Sequence, residues 1–142
     1  MSAGMTMPAR EPGGLWRRAK VRTAVLAGLL LARMAPHRIR SFMRRAVGGA
    51  RKAEYETVDA YYRAVAAASP RCAGWQGCLP RSIAVALLCR AEGRWPDWNV
   101  GVRRTPPFAA HAWLEAGGRI VAEPGTPTAY GVLMHVGAAD VS

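Results

Sequence analysis

Apolar residues recur at helical spacing through the first half of the chain. Leu15, Ala19, Arg22, Leu26, Leu29, Leu30 and Arg33 fall three or four apart, which predicts a helix from Leu15 to Met34 that Pro36 ends. A second, basic helix is expected from His37 to Val47, stopping at Gly48–Gly49. Val58, Tyr61, Tyr62 and Val65 mark one face of a third, from about Thr57 to Ala68, closed by Ser69–Pro70. Residues 71–77 (RCAGWQG) read as a loop. Cys78 to about Ala91 (CLPRSIAVALLCRA) reads as an apolar helix, with Pro80 in the first turn, where no backbone donor is lost. Beyond Glu92–Gly93 the period shortens. Val100–Arg103, Ala109–Glu115 and Arg119–Glu123 read as strands, the last two joined by the turn Ala116–Gly118 as a β-hairpin. Tyr130–Val136 is a further strand after a Gly/Pro/Thr loop.

Charge divides this pattern in two. The 142 residues suffice for one domain. Residues 1–52 carry 12 basic side chains and one acid, Glu11, whereas residues 53–142 carry 8 of each, so the whole +11 lies in the first third. The sequence suggests a disordered tail at 1–14, a basic helical arm at 15–52 and a neutral domain at 53–142. A neutral body is not the nucleic-acid-binding domain that a pI near 11.0 suggests. At 51% hydrophobic residues, the chain is also too apolar to be disordered throughout. The longest apolar run, Ala24–Ala32, is nine residues, too short for a membrane span of about 20. As a signal peptide it would have Arg33 and Met34 where small cleavage-site residues belong. Three cysteines make a poor disulfide framework, which favours a reducing cytoplasm.

The candidate chemistry lies in the neutral body. Cys78 opens a helix, where aligned peptide dipoles stabilise a thiolate and free N–H groups can hold an oxyanion. A thiol nucleophile needs a base. Of the three histidines, His37 lies in the basic arm and His135 near the chain end, which leaves His111, in a strand among small alanines. A three-residue turn at Ala116–Gly118 would set Glu123 directly opposite His111 as an orienting carboxylate. Glu115 shares His111's face but lies about 13 Å along the strand. Cys89 reads as packing and Cys72 as incidental. No CxxC or HxxxH spacing suggests a metal, and there is no P-loop or G-x-G-x-x-G, so no cofactor is expected.

The stretches Cys78-Leu79-Pro80-Arg81-Ser82, Val100-Gly101-Val102-Arg103 and Phe108-Ala109-Ala110-His111-Ala112-Trp113-Leu114-Glu115 together resemble the leader peptidases (B-proteins) of lasso peptide biosynthesis, a microcin-processing, transglutaminase-like family. The resemblance is strongest over residues 71–125. It implies an α+β papain/transglutaminase-like cysteine protease fold, with the cysteine-bearing helix packed on a small antiparallel sheet. It implies Cys78 as nucleophile and His111 as general base. Glu123, in Gly118-Arg119-Ile120-Val121-Ala122-Glu123, stands where the family usually has Asp. The Cys78 N–H and the Gln76 side chain are the oxyanion donors expected from it. Trp98, Trp113 and Arg103 are candidates for substrate binding, with Trp113 equally placed to be core. The implied partners are a precursor leader, a separate PqqD-like leader-recognition protein and an asparagine-synthetase-like cyclase, with no nucleic acid. Contact of the basic arm with a membrane surface stays open. Two other readings stand beside this one: a non-enzymatic membrane-surface or nucleic-acid module driven by the arm, and a transglutaminase-like enzyme that transfers amides.

Overall fold

The computed structural model describes residues 14–138. The tail expected at 1–14 therefore lies outside the described residues, apart from Gly14. Five helices precede or interleave with six strands: α1 (Gly14–Leu31), α2 (Pro36–Ala46), β1 (Arg51–Lys52), α3 (Tyr55–Ala68), α4 (Pro70–Ala73), α5 (Cys78–Ala91), β2 (Arg94–Trp95), β3 (Asp97–Arg103), β4 (Ala110–Ala116), β5 (Arg119–Ile120) and β6 (Tyr130–Val136). β3 to β6 form an antiparallel sheet in the order β5-β4-β3-β6, and β1 pairs with β2 in a two-stranded parallel ribbon. The architecture is the expected α+β one.

α5 is the central element. Ile83, Ala84, Val85, Ala86, Leu88 and Cys89 are buried along it, so it is apolar nearly all round, as a helix enclosed by neighbours must be. α1 and α3 pack against it, as do β3 and β4 of the sheet. α1 comes unusually close: a Cβ on Gly28 would sit 2.5 Å from the Pro80 carbonyl oxygen and 3.3 Å from Ala84 Cβ. Only glycine allows this approach at the first turn of α5.

The expected boundary at residue 52 does not separate two packing units. Val21, Ala24 and Val25 of α1 and Ile39 and Met43 of α2 belong to the same core as Val58, Ile83 and Leu114. Arg90 at the end of α5 donates from Nε to the Ala46 carbonyl (2.7 Å) and from Nη2 to the Gly48 carbonyl (3.1 Å), tying α2 down. The arm's charge is confined to its outer side; its inner side is core.

Two local expectations change. Residues 71–77 are not simply a loop. Ser69 caps α4, its hydroxyl accepting from the Cys72 N–H at 3.3 Å, and Pro70 starts the helix; a 3-10 turn at Trp75–Gly77 then leads into α5. The hairpin turn is also one residue shorter than expected. Glu115 pairs with Ile120 and Ala116 with Arg119, leaving Gly117 (φ 61°) and Gly118 (φ 78°) as the turn. Positive φ at both central positions is the tight hairpin geometry that two glycines favour. β5 ends at Ile120, and the chain leaves the sheet through Ala122, whose φ is 60°.

Candidate functional site

The first turn of α5, the start of β4 and the segment after β5 converge. His111 Nε2 lies 2.8 Å from Glu123 Oε2. The other side of the imidazole hydrogen-bonds the Cys78 side chain, which also accepts the Ala112 backbone N–H. With Nε2 taken by the carboxylate, Nδ1 is the nitrogen left for sulfur. Cys78 is half-buried, and the His111 and Glu123 side chains are 21% and 15% exposed, so all three remain reachable.

The Glu123 contact arises by a different route from the expected one. In the observed register, extension of the hairpin would bring residue 124, not 123, opposite His111. The irregular exit at Ala122 restores the contact by turning the backbone out of the ladder. Glu, one methylene longer than Asp, spans from that off-sheet position to the imidazole.

Electrostatics follow from these contacts. Burial disfavours the Cys78 thiolate, but the His111 and Ala112 hydrogen bonds, with the positive charges of His111 and Arg81, outweigh it and hold the thiol below its ordinary pKa. His111 is pushed up to about 9, mainly by its hydrogen bonds to Cys78 and Glu123; burial opposes this, and their negative charges add to it. The same contacts thus favour thiolate and imidazolium together. Cys89, by contrast, is fully buried, and burial together with Glu92 pushes it up to about 12. Cys72 is also buried, and all three cysteines are free thiols.

Aromatic rings pack against the imidazole; Trp113, placed equally as wall or core by the sequence, is 2% exposed and so backs the site from within, while Tyr130 is half-buried. Trp113, two residues along β4 from His111, stacks with it at a centroid distance of 6.1 Å and an interplanar angle of 11°. Tyr130 of β6 stacks on both, at 5.4 Å from His111 and 4.5 Å from Trp113. Gly101 makes room: a Cβ there would lie 2.2 Å from the Gly131 carbonyl oxygen and 3.1 Å from Trp113 Cη2. The Trp113 indole donates to Glu115 Oε2 at 2.7 Å. Asn99 Nδ2 donates to the same oxygen at 3.2 Å, while Asn99 Oδ1 lies 2.7 Å from His135 Nδ1. Glu115, the more distant carboxylate in the sequence reading, thus anchors the ring that stacks on His111.

The other residues singled out in the sequence fall elsewhere. Trp98 is not at the site surface: it is fully buried in the core, its indole donating to Ser82 Oγ at 3.0 Å. Its neighbour in β2, Trp95, not one of those residues, is also buried and donates to the Val136 carbonyl at 3.0 Å. Arg103 is exposed at the end of β3, where its charge acts on Tyr130. Gln76 is exposed and borders an open cleft of about 420 Å³ with Leu29, Pro70, Arg71, Gly74, Gly77 and Pro80.

Arg81 and Tyr62 are the residues that sequence reasoning passed over. Arg81 is 6% exposed, and its guanidinium lies 4.9 Å from the centre of the Tyr62 ring. The signal for Arg81 was present: a basic residue one turn after Cys78, ahead of the apolar stretch of the helix, is too costly to bury without partners. Among the described residues no group of three or more His, Cys, Asp or Glu is arranged to hold a metal ion. No helix there is long and apolar enough to cross a membrane.

Helix-borne cysteine, strand-borne histidine and a carboxylate from a neighbouring segment, on a small antiparallel sheet, define a papain-like α+β core. The profile of the transglutaminase-like superfamily matches residues 21–135, and the chain belongs to that superfamily, which includes cysteine proteases and transglutaminases. Searches of curated proteins and of solved structures returned no match. The matched span begins inside α1, in keeping with the shared core.

Proposed function

We propose that the protein is a cysteine peptidase that removes the leader from a lasso-type ribosomally made precursor peptide. The observation that carries this is the contact of Cys78 and His111, with Glu123 behind the imidazole. The similarity of CLPRS and AHAWLE to the lasso leader peptidases supplies the substrate class. In this reading the Cys78 thiolate attacks the carbonyl carbon of the last leader residue. The Cys78 N–H at the start of α5, with Gln76 as second donor, holds the oxyanion. The imidazolium of His111 gives its proton to the leaving amine, the new N-terminus of the core peptide. Water, deprotonated by His111, then splits the thioester into leader acid and free thiol. Glu123 keeps the ring oriented and its charge compensated. Tyr130, half-buried, forms the wall against which the peptide lies, with the buried Trp113 stacked behind it, and Arg103, at the end of β3 beside Tyr130, meets the leader.

Delivery of the leader falls to a separate PqqD-like recognition protein, and an asparagine-synthetase-like cyclase takes the product, in a cytoplasmic setting. Incubation with a candidate precursor, with and without a recognition protein, tests the reading by mass spectrometry. Expected is a leader ending in a free carboxylate, with cleavage lost in Cys78→Ala and after iodoacetamide. An amine adduct on the leader would show amide transfer instead. Cleavage that survives Cys78→Ala would overturn the thiol mechanism.

A further inference from the structure

Arg81 sits on α5 one turn after Cys78, so both side chains leave the same face of the helix. Its guanidinium is engaged through both terminal nitrogens and one face. Nη1 donates to the Cys72 carbonyl at 2.6 Å and to the Gly74 carbonyl at 3.3 Å. Nη2 lies 3.5 Å from Glu123 Oε1, the oxygen that His111 does not use. The Tyr62 ring of α3 covers its face. Side-chain exposure is only 7% for Arg81 and 15% for Glu123, so the pair is little screened by water. One cation thus bridges the segment leading into Cys78 and the carboxylate facing His111.

From this geometry we infer that Arg81 is a positioning residue of the site: it holds Glu123 in register with His111, fixes the 72–74 segment against α5, and adds positive charge beside the Cys78 thiolate. The inference rests on the cysteine-centred reading of the site. It does not depend on whether the acyl group passes to water or to an amine.

Bidentate use makes arginine specific here. Two carbonyls and a carboxylate oxygen need donors fanned in one plane, which guanidinium provides and ammonium does not. The charge still transfers to lysine, which separates the electrostatic part of the role from the geometric part. Several groups around the site titrate or carry charge: Cys78 and Arg81 on α5, Tyr62 on α3, His111 on β4, Glu123 after β5, Tyr130 on β6 and Arg103 on β3 near Tyr130. Burial raises both tyrosines, so they stay neutral across the working range. His111, Glu123 and Arg81 are then the charges that set the thiol's behaviour.

The test follows iodoacetamide modification of Cys78 by peptide mass spectrometry as a function of pH, in the full chain. Arg81→Gln is expected to slow alkylation at pH 6 by threefold or more and to move the profile's midpoint upward. Arg81→Lys, which keeps the charge but loses the fan of donors, should recover only part of the lost rate. In a Glu123→Gln background, Arg81→Gln should have less than half its effect, because the part acting through the carboxylate is already gone. An Arg81→Gln profile that superimposes on wild type overturns the inference. So does an Arg81→Lys profile identical to wild type, which would mean that a positive charge alone, and not the guanidinium's placement of Glu123 and the 72–74 segment, sets the readout. If Arg81→Gln does not fold, Tyr62→Leu, which strips the ring from the guanidinium, should shift the midpoint the same way, and no shift would overturn the inference. A chain that alkylates as expected but leaves every precursor uncut fails the peptidase reading and leaves the role of Arg81 standing.

Discussion

The protonation state of His111 decides what Cys78 can do. A neutral imidazole beside a thiol would have to remove a proton during attack, whereas an imidazolium beside a thiolate has already done so. Contacts with Cys78 and Glu123 hold the ring charged up to about pH 9, against an ordinary midpoint of 6.5. Both contacts raise the value, so removing either lowers it. In an NMR titration of the ring, His111 should titrate near 9 in the wild type and closer to 6.5 in Cys78→Ala, since the thiolate contact is the larger cause. Glu123→Gln should also lower it, by less. An unchanged midpoint in both variants would mean that neither contact persists in solution. Much of this was legible from residue chemistry alone: a helix-opening cysteine, a histidine among alanines and a nearby carboxylate form a short search list. Glu123 emerged through a hairpin register one residue off, because the sequence does not reveal that two glycines close the turn or that Ala122 turns the chain back. Arg81 was legible only as an anomaly, since its partners are two backbone carbonyls and a carboxylate 42 residues away.

Among the elements, the contact between α1 and α5 controls where the cysteine sits. Gly28 meets the Pro80 carbonyl, two residues after Cys78, with no room for a Cβ. The sequence offered Gly28 only as one small residue in an apolar run; which helix it would face depends on packing that periodicity cannot specify. Gly28→Val should cost about 1–3 kcal/mol in a denaturant melt, as overpacked contacts do, and slow Cys78 alkylation by displacing the first turn of α5. Gly14→Ala is the matched control on the same helix. Nothing lies within 4 Å of the Cβ it would add, so neither readout should move. Both substitutions raise helix propensity, so equal losses in the two variants would show that the loss does not come from the α1–α5 contact. The α5 boundaries themselves were readable, because a mostly apolar run starting at Cys78 and stopping at Glu92–Gly93 has few other conformations open to it. β1 and β2 were not, being two-residue strands that exist only because α2 and α5 end side by side.

For the whole molecule, net charge and core membership run along different lines. Composition puts all of the +11 before residue 53, which makes that segment look like an appendage. Burial shows otherwise: Val21, Val25, Ile39, Met43 and Val47 lie in the common core. At about 1.5–3 kcal/mol per fully buried side chain, those five contribute on the order of 10 kcal/mol. That is comparable to the entire stability of a domain, about 5–15 kcal/mol. The arginines could not reveal this, because their charge stays on the solvent side of helices whose other side is apolar. A fragment comprising residues 53–142 should therefore lack a cooperative thermal transition and near-ultraviolet dichroism, although it contains Cys78, His111 and Glu123. Residues 14–142 should retain both. A cooperative melt from the 53–142 fragment would show instead that the basic helices are a separable unit docked on a self-sufficient domain. Loss of the transition would mean that the site's geometry is held from behind by α1, through the same helix that presents the cysteine.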